Sequence, residues 1–448
     1  MKSKLPSTPL EALNLSGVLS FIVKTIHTSA DIFGFWKYPS LKSSADFERM
    51  TLWDKMYWGY KSRNPIVRPE KGSQLETFFY KNERVINLPA KFRKNQSVTF
   101  GAVGDLIKVP GLENSKDVFY EKIADLVFDN DLTIANLESQ LTSQNIGGYV
   151  FSDKETPPLC CHLNEYETLT SHRGKHYTLL HTACNHTLDM GLEGLETTLA
   201  RLEKDGITDI GTNRRPDESV KGRMVTKNGI TFGFVSATFG LNGKPIPPGH
   251  EYMVNVVKFH TLDSNEKADL SLLEHQIAWC NEKGCDVIIA SLHWGYEYEF
   301  FPRKHQVDMA HQLVEAGVDV IISHHAHVLQ PMEYYRPKRN PEKTAIIVYS
   351  LGNLASAFSA PHLVLSGVLN LTFSKGTIDG REETFVTEAK LIPVIQRDCL
   401  VGNLPVIRIE TLETVLNPPY QGIEDKAYLT ALKRYADGVL GGLDDSQY

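Results

Sequence analysis

The sequence predicts an α/β protein: a layered body with a mixed pair of sheets and an added helical N-terminal segment. Three observations predict it. From residue 97 onward, short β-branched runs alternate with amphipathic helical stretches. A strand-rich part follows that alternation, over residues 344–396. Residues 1–95 show neither pattern. They are rich in aromatics ("DIFGFWKYPS", "TLWDKMYWGYKSRNP") and read as helices packed on the body, with "RKNQS" (93–97) as a linker.

The elements follow in order. "SVTFGAVG" (97–104) reads as a buried strand ending in glycine, and "DVFYEKIADLVFDN" (117–130) as a helix. "LTIANLE" (132–138) and "KHYTLLHTACNH" (175–186) read as strands. "GLEGLETTLARLEKDG" (191–206) is an amphipathic helix with a glycine stop, and "ITDIG" (207–211) returns to strand. "GRMVTKNGITFGFVSAT" (222–238) is a hairpin turning at Asn228-Gly229, because Asn-Gly readily takes the left-handed turn conformation. A helix (264–283), the strand "CDVIIASLHW" (285–294), a helix (303–316) and the strand "VDVIISHH" (318–325) come next. "TAIIVYSLGN" (344–353), "SGVLNLTFS" (366–374) and "FVTEAKLIPVIQ" (385–396) are strands, and a last helix covers about 424–440.

The 448 residues are 42% apolar and 23% charged, which suits a soluble globular protein with a sizeable core. The formal net charge of −7 argues against a nucleic-acid partner. An anionic small-molecule or polymer substrate would have to be held by local positive charge or metal. The cysteines (160, 161, 184, 280, 285 and 399) form no CxxC pair and read as free thiols of a cytoplasmic protein. No run reaches the roughly 18 apolar residues of a membrane span. Residues 9–26 fit an amphipathic helix lying either on the protein's own core, the commoner case, or on a membrane as a peripheral contact.

Chemistry concentrates at strand ends, where ligands bind in α/β sheets. "TFGAVGD" ends at Asp105, and "LTIANLE" at Asn136 and Glu138. "LLHTACNH" ends at Asn185 and His186, with Asp189 beyond. "VIIASLHWGYE" ends at His293, and "VDVIISHHAH" at His324, His325 and His327. Imidazoles, carboxylates and an amide suit hard and borderline divalent cations, and they exceed one ion's needs. Two metals sharing a bridging carboxylate, about 3.5–4 Å apart, account for the set. In an extended strand end His325 and His327 face one side, and His324 faces away as a substrate contact, a support or a solvated residue. Single positions also have plainer readings. Asp189 could cap the helix after it, Glu138 could pair locally, and Gly352-Asn353 could be a simple turn. Glu297 follows the His293 strand toward the site rim, and Arg214 and Arg215 in "TNRRP" offer planar donors to a carboxylate or phosphate.

Six blocks, "GAVGD" (101–105), "ANLES" (135–139), "CNHTLDMGLEGL" (184–195), "LHWGYEY" (292–298), "SHHAHVLQPME" (323–333) and "YSLGN" (349–353), resemble the CapA family of capsule and poly-γ-glutamate synthesis. That family in turn resembles the calcineurin-like metallophosphoesterases. The resemblance covers about residues 97–400. It implies a four-layer αββα metallophosphatase-like domain over 96–448, with 1–95 as a helical extension. It implies one metal on Asp105, Glu138 and His327, and a second on Glu138, Asn185, His293 and His325. The ions would be Mn²⁺, Zn²⁺ or Fe²⁺. His186 would act as proton donor, oriented by Asp189. The residues themselves offer Asn136, Arg214, Arg215, Glu297, His324 and Asn353 as substrate contacts, with a plain exposed loop equally open for the two arginines. The pattern departs at Ile107, where the family of phosphoesterases has a histidine ligand, at Ser323 for glycine and at Ala326 for proline. The expected activity is metal-dependent hydrolysis of a phosphoester or a γ-glutamyl amide. The alternative is a non-catalytic polymer-assembly or export subunit with a degraded metal site, for which Ile107 speaks.

Overall fold

The computed structural model describes residues 5–13, 15–144, 158–260, 268–417 and 426–441. In chain order the principal strands are β1 (Arg93–Leu106), β2 (Leu132–Leu137), β3 (Leu179–His181), β4 (Thr208–Ile210), β5 (Arg223–Lys227), β6 (Ile230–Thr238) and β7 (Val287–His293). Then come β8 (Val320–His324), β9 (Met332–Tyr335), β10 (Ala345–Val348), β11 (Asn353–Ala355), β12 (Leu365–Ile378), β13 (Arg381–Val401) and β14 (Leu404–Thr411). One sheet has the order β14-β13-β12-β1-β2-β3-β4, with β11 also paired to β1; the other has the order β9-β10-β8-β7-β6-β5.

Alternate side chains of each strand serve different layers. Val98, Phe100 and Ala102 of β1, Phe232 and Phe234 of β6, Val287 and Ile289 of β7, and Val320 and Ile322 of β8 share one core between the sheets. The intervening Ile288, Ala290 and Leu292 face outward, packing with residues of the helices Ser271–Glu282 and Lys304–Ala316 and of the last helix Lys426–Leu440. Those helices follow α1 (Pro9–Ala12), α2 (Gly17–Phe33), α3 (Leu52–Arg63), α4 (Leu75–Lys81), α5 (Ala124–Phe128), α6 (Leu163–Thr170) and α7 (Gly191–Asp205); α8 is Ser271–Glu282 and α9 is Lys304–Ala316. On the far side of the first sheet, Val103, Leu106 and Ala135 share a core with Leu195, Leu199 and Leu202 of α7. Helix, sheet, sheet and helix make the four-layer αββα sandwich that the sequence predicts.

Three element readings need correction. The residues 93–97 are not a linker: Arg93 to Ser97 pair with Thr377 to Ser374 on the long neighbour β12, so ladder bonds extend β1 past its apolar part. The expected helix 117–130 is helical only over α5. Phe119, Tyr120 and Ile123 are fully buried, and the Phe119 carbonyl accepts a bond from Ile409 of β14, which a helix would have claimed. Within 175–186 only Leu179–His181 is a principal strand, because Asn185 and His186 sit in the turn that follows. The hairpin reading holds, with Asn228 and Gly229 both at positive φ (45° and 75°). The expected helix over 264–283 runs from Ser271 to Glu282, with 261–267 outside the described residues. The six cysteines carry free thiols.

Helix α3 and the chain just after it are stitched to the loop after β7. Ile66 N donates to the Tyr298 carbonyl (2.9 Å), and Phe300 N donates to the Ile66 carbonyl (2.9 Å). Lys61, buried on α3, reaches Glu299 at 3.2 Å, and Glu299 holds Arg303 through two bonds of 3.0 and 3.1 Å. No helix among the described residues is long and apolar enough to cross a membrane.

Candidate metal centre

The parallel ladders set one row of side chains along one edge of each sheet. Asp105 of β1 is in register with Asn136 of β2 and Asn353 of β11, and Asn136 with His181 of β3. In the other sheet His293 of β7 is in register with His324 of β8. The sandwich turns these two rows toward each other. Asn136 donates from Nδ2 to Asp105 Oδ1 (2.9 Å) and to His293 Nδ1 (3.3 Å), so it bridges the sheets.

Asp105, Glu138 and His327 each offer a ligand atom, all within 4.8 Å of one another, and all three are buried. His293 Nε2 lies 2.8 Å from Asn185 Oδ1 and 3.9 Å from Glu138 Oε1. The His325 ring packs 4.9 Å from the His293 ring and 5.8 Å from that of His327. Both Glu138 oxygens and both His325 nitrogens are buried with no hydrogen-bond partner among the described residues. Buried polar atoms are ordinarily satisfied, so a cluster of orphans on two metal-ligand residue types fits a bound cation.

The electrostatics agree with that fit. Burial pushes Glu138 up to about 7, with the Asp105 charge adding to it and His327 opposing. Burial also acts on Asp105, but His324 and His327 hold its carboxyl well below the usual range. His327 is raised to about 10: burial opposes its charge, and Glu138, Asp105 and Glu297 outweigh burial. The carboxylate pair therefore demands positive charge, met within the chain by His327. Burial drives His293 and His325 well below 6.5, leaving them as neutral imidazoles, the ligand form.

The turn after β8 explains how three neighbouring histidines serve one centre. His325 (φ 89°) and His327 (φ 56°) are both left-handed, as is Tyr298 (φ 60°) on the facing loop. Strained backbone of this kind persists where surrounding structure overdetermines it. Of the three roles open to His324, the bend selects the support. The residue ends β8 buried, with Nδ1 3.0 Å from Asp105 Oδ1, because the chain bends after it instead of staying extended. It supports Asp105 and does not line the cavity over the centre.

Of the other residues expected to face substrate, Asn353 and Glu297 line that cavity. Asn353 Oδ1 accepts from His327 Nδ1 (2.9 Å) and so orients the ring. Glu297 Oε1 lies 3.6 Å from His327 Nε2, and its other oxygen accepts from Trp58 Nε1 (2.5 Å). Asn136 is fully buried under the centre. The two arginines do not reach the cavity. Arg214 is held by Asp209 (2.8 Å) and the Leu199 carbonyl (2.9 Å), and Arg215 pairs with Asp217 and Glu218. A salt-bridged loop at the end of β4 satisfies them locally.

His186 lies above the ligands, with Nδ1 2.6 Å from Asp189 Oδ2 and Nε2 3.4 Å from Asn242. Burial would lower its pKa, but the Asp189 carboxylate reverses this and the net shift is upward. Asp189 is not a helix cap. Helix α7 starts after it, at Gly191, with no side-chain cap bond, and Asp189 Oδ2 also accepts from Leu159 N (2.7 Å). Two residues escaped the sequence reading. His181 is buried at the end of β3 with Nδ1 2.8 Å from Ser291 Oγ and its ring 5.7 Å from that of His324. Its strand-end position was the available signal. Asn242, four residues past the end of β6, accepts from Asn185 Nδ2 (3.1 Å) and lies 3.4 Å from His186 Nε2; its strand-end loop was again the available signal.

Gly104 makes the placement of Asp105 possible. A Cβ on Gly104 would lie 1.9 Å from the Gly352 carbonyl oxygen, which accepts from Asp105 N at 2.9 Å. Gly352 itself has φ 70°, open to glycine at little cost. Gly352-Asn353 is thus a turn that also seats two centre residues. Gly104→Ala is expected to destabilise the protein by about 1–3 kcal/mol or more in urea unfolding, since the obstacle is backbone, and to lower bound metal. A variant with unchanged stability and metal content would contradict this role.

Residues 95–357 match the family described as "Bacterial capsule synthesis protein PGA_cap". The chain is similar to capsule biosynthesis protein CapA of Bacillus anthracis, 27% identical over 279 residues, covering 59% of this chain and 61% of that one. It is 26% identical over 247 residues to PGA biosynthesis protein CapA of Bacillus subtilis, covering 54% and 57%. It is 25% identical over 279 residues to a probable polyglutamine synthesis accessory protein of Mycobacterium tuberculosis, covering 61% and 63%. The chain thus spans about three fifths of the length of these curated relatives.

Proposed function

The chain belongs to the bacterial capsule synthesis family PGA_cap, a metallophosphatase-like fold, and on that premise we propose that it is a metal-dependent hydrolase acting in capsule or poly-glutamate biosynthesis. The observation that carries the reading is the convergence of buried ligand types from both sheets, with unsatisfied atoms on Glu138 and His325, beneath a His186–Asp189 pair. Asp105, Glu138 and His327 would hold one divalent cation, and Glu138, Asn185, His293 and His325 a second. Such ions supply Lewis acidity toward a phosphoryl or carbonyl oxygen and acidify water.

The chain's own groups then have defined tasks. Asn136 and His324 hold Asp105, and Asn353 holds the His327 ring. Asp189 fixes the His186 ring and favours its protonated form. Nε2 of His186 carries the proton toward the cavity. Water adds to the phosphorus or carbonyl carbon, and the P–O or C–N bond breaks. The departing oxygen or nitrogen takes its proton from His186, and the water's proton restores it.

Ile107 lines the cavity and supplies no ligand atom, which favours a second reading, a non-catalytic assembly subunit. Elemental analysis of chain purified without chelator, beside His325→Ala, begins the test. Bound metal in the wild type and at least a twofold loss in the variant are expected. Hydrolysis of an aryl phosphate with added Mn²⁺, set against shortening of poly-γ-glutamate chains, separates the two substrate classes. A loaded centre silent in both assays would establish the assembly reading instead. Absence of metal would sink the hydrolase reading and leave the assembly subunit with its degraded site.

A further inference from the structure

The cavity over the candidate centre has two unlike walls. Its volume is about 420 Å³, within the roughly 300–1,000 Å³ of small-molecule sites. Its floor carries Asn185, His186, His325 and His327. Its roof comes from residues outside the matched 95–357 segment: Leu10 of α1, Leu19 and Val23 one turn apart on α2, and Leu52 and Met56 one turn apart on α3. Ile107 carries the apolar surface down to the floor, in the position where a phosphoesterase-like site would have a histidine.

The roof is a fixed part of the fold. Ser359 N donates to the Pro6 carbonyl (3.1 Å), and Ala360 N to the Ser7 carbonyl (2.9 Å). His362 Nε2 bonds the Ser62 carbonyl at 3.0 Å. These bonds tie both ends of the helical segment to the chain just after β11, the strand that carries Asn353.

The wall chemistry discriminates between substrates. Among the described lining residues Lys55 is the one lysine or arginine, and its ammonium sits 4.7 Å over the Phe47 ring. A bare polyanion threaded here would desolvate repeated carboxylates against leucine and methionine, at a large cost. An apolar chain would gain burial from the same surface. The apolar surface also continues outward. Leu19 and Leu52 line the cavity yet are 42% and 73% exposed, so they stand at its mouth. On the outer face of α2, Val18 and Phe21 are 77% and 71% exposed, and Ile22 is 44% exposed. A run of large exposed apolar side chains at a cavity mouth is unusual without an apolar phase to meet it.

Resting on the hydrolase reading, we propose that the substrate is an amphiphile drawn from a lipid bilayer: an anionic head reaches the centre, and an apolar chain lies under α1 to α3. The outer face of α2 rests on the bilayer from which the chain enters.

Calorimetric titration of the full chain with dodecyl phosphate and with methyl phosphate, below the micellar concentration, tests it. Each buried methylene strengthens binding about fourfold, so the dodecyl ester is expected to bind at least about 100-fold more tightly. Leu19→Glu and Leu52→Glu change exposed positions, where a carboxylate is compatible with folding, and each is expected to cut that ratio to below about tenfold, since charge at the mouth disfavours the chain. Equal affinities, or a ratio that neither variant moves, would overturn the proposal. Vesicles of phosphatidylcholine are expected to sediment the wild type and not Phe21→Glu; wild type left in the supernatant overturns the bilayer source. The ratio needs no turnover. An intact ratio in a metal-loaded chain that hydrolyses nothing sinks the hydrolase reading alone. Turnover of phenyl phosphate with a ratio of one sinks the amphiphile alone.

Discussion

His186→Ala is expected to lower aryl phosphate turnover about 10²–10⁴-fold while bound metal stays within about twofold of the wild type, because the ring carries a proton and is no ligand. The separation follows from geometry. His186 spends Nδ1 on Asp189 and turns Nε2 toward Asn242 and the cavity, above the Asp105, Glu138 and His327 cluster. Asp189→Asn is expected to cost less, about 10–100-fold, as for other groups that orient a working imidazole. The measurements are steady-state rates beside elemental analysis on the same preparations. Joint loss of metal and turnover in His186→Ala would make His186 a ligand and remove the proposed proton donor.

Glu299→Ala is expected to destabilise the protein by about 3–5 kcal/mol, because it strands two buried cations. Glu299 is 1% exposed and answers Lys61 from α3 and Arg303 at the start of α9. Tyr57 also donates to it, at 3.2 Å, and Arg303 stacks 3.4 Å over the Tyr296 ring. Replacing Lys61, Glu299 and Arg303 together by methionine is expected to recover much of the loss, since no charge is then left unpaired. Urea unfolding reads both. The pH dependence has a definite sign. Burial alone would raise the Glu299 carboxyl, but Arg303 and Lys61 bring it down to about 2 from 4.5. A depressed carboxyl contributes fully above the unfolded value and loses that contribution as pH falls toward 2. Wild type is therefore expected to lose more stability between pH 5 and 3 than Glu299→Gln. Parallel pH profiles would show that the triad is not coupled to folding.

The legible part of the site was the part carried by regular strands. Asp105, Asn136 and His293 were readable because a strand's end fixes which sheet edge a residue occupies, and parallel register then aligns neighbouring ends. The role of His324 stayed open in the sequence because the two-residue alternation of an extended chain stops at His325, where φ turns positive. Residues 93–97 were misread because their strand character comes from β12, about 280 residues away, and not from their own apolar pattern. Arg214 and Arg215 offered the right donors in the right kind of loop, and nearby carboxylates claimed them first.

Periodicity, turn chemistry and strand-end composition by themselves determined the α/β layering, the Asn228-Gly229 hairpin and the residue types of a cation site, since these depend on neighbours in the chain. Only the tertiary structure decided that Asn136 bridges two sheets, that His324 supports Asp105, and that leucines from residues 10–52 roof the histidines. Those are contacts between segments distant in sequence, and packing, not local preference, selects them.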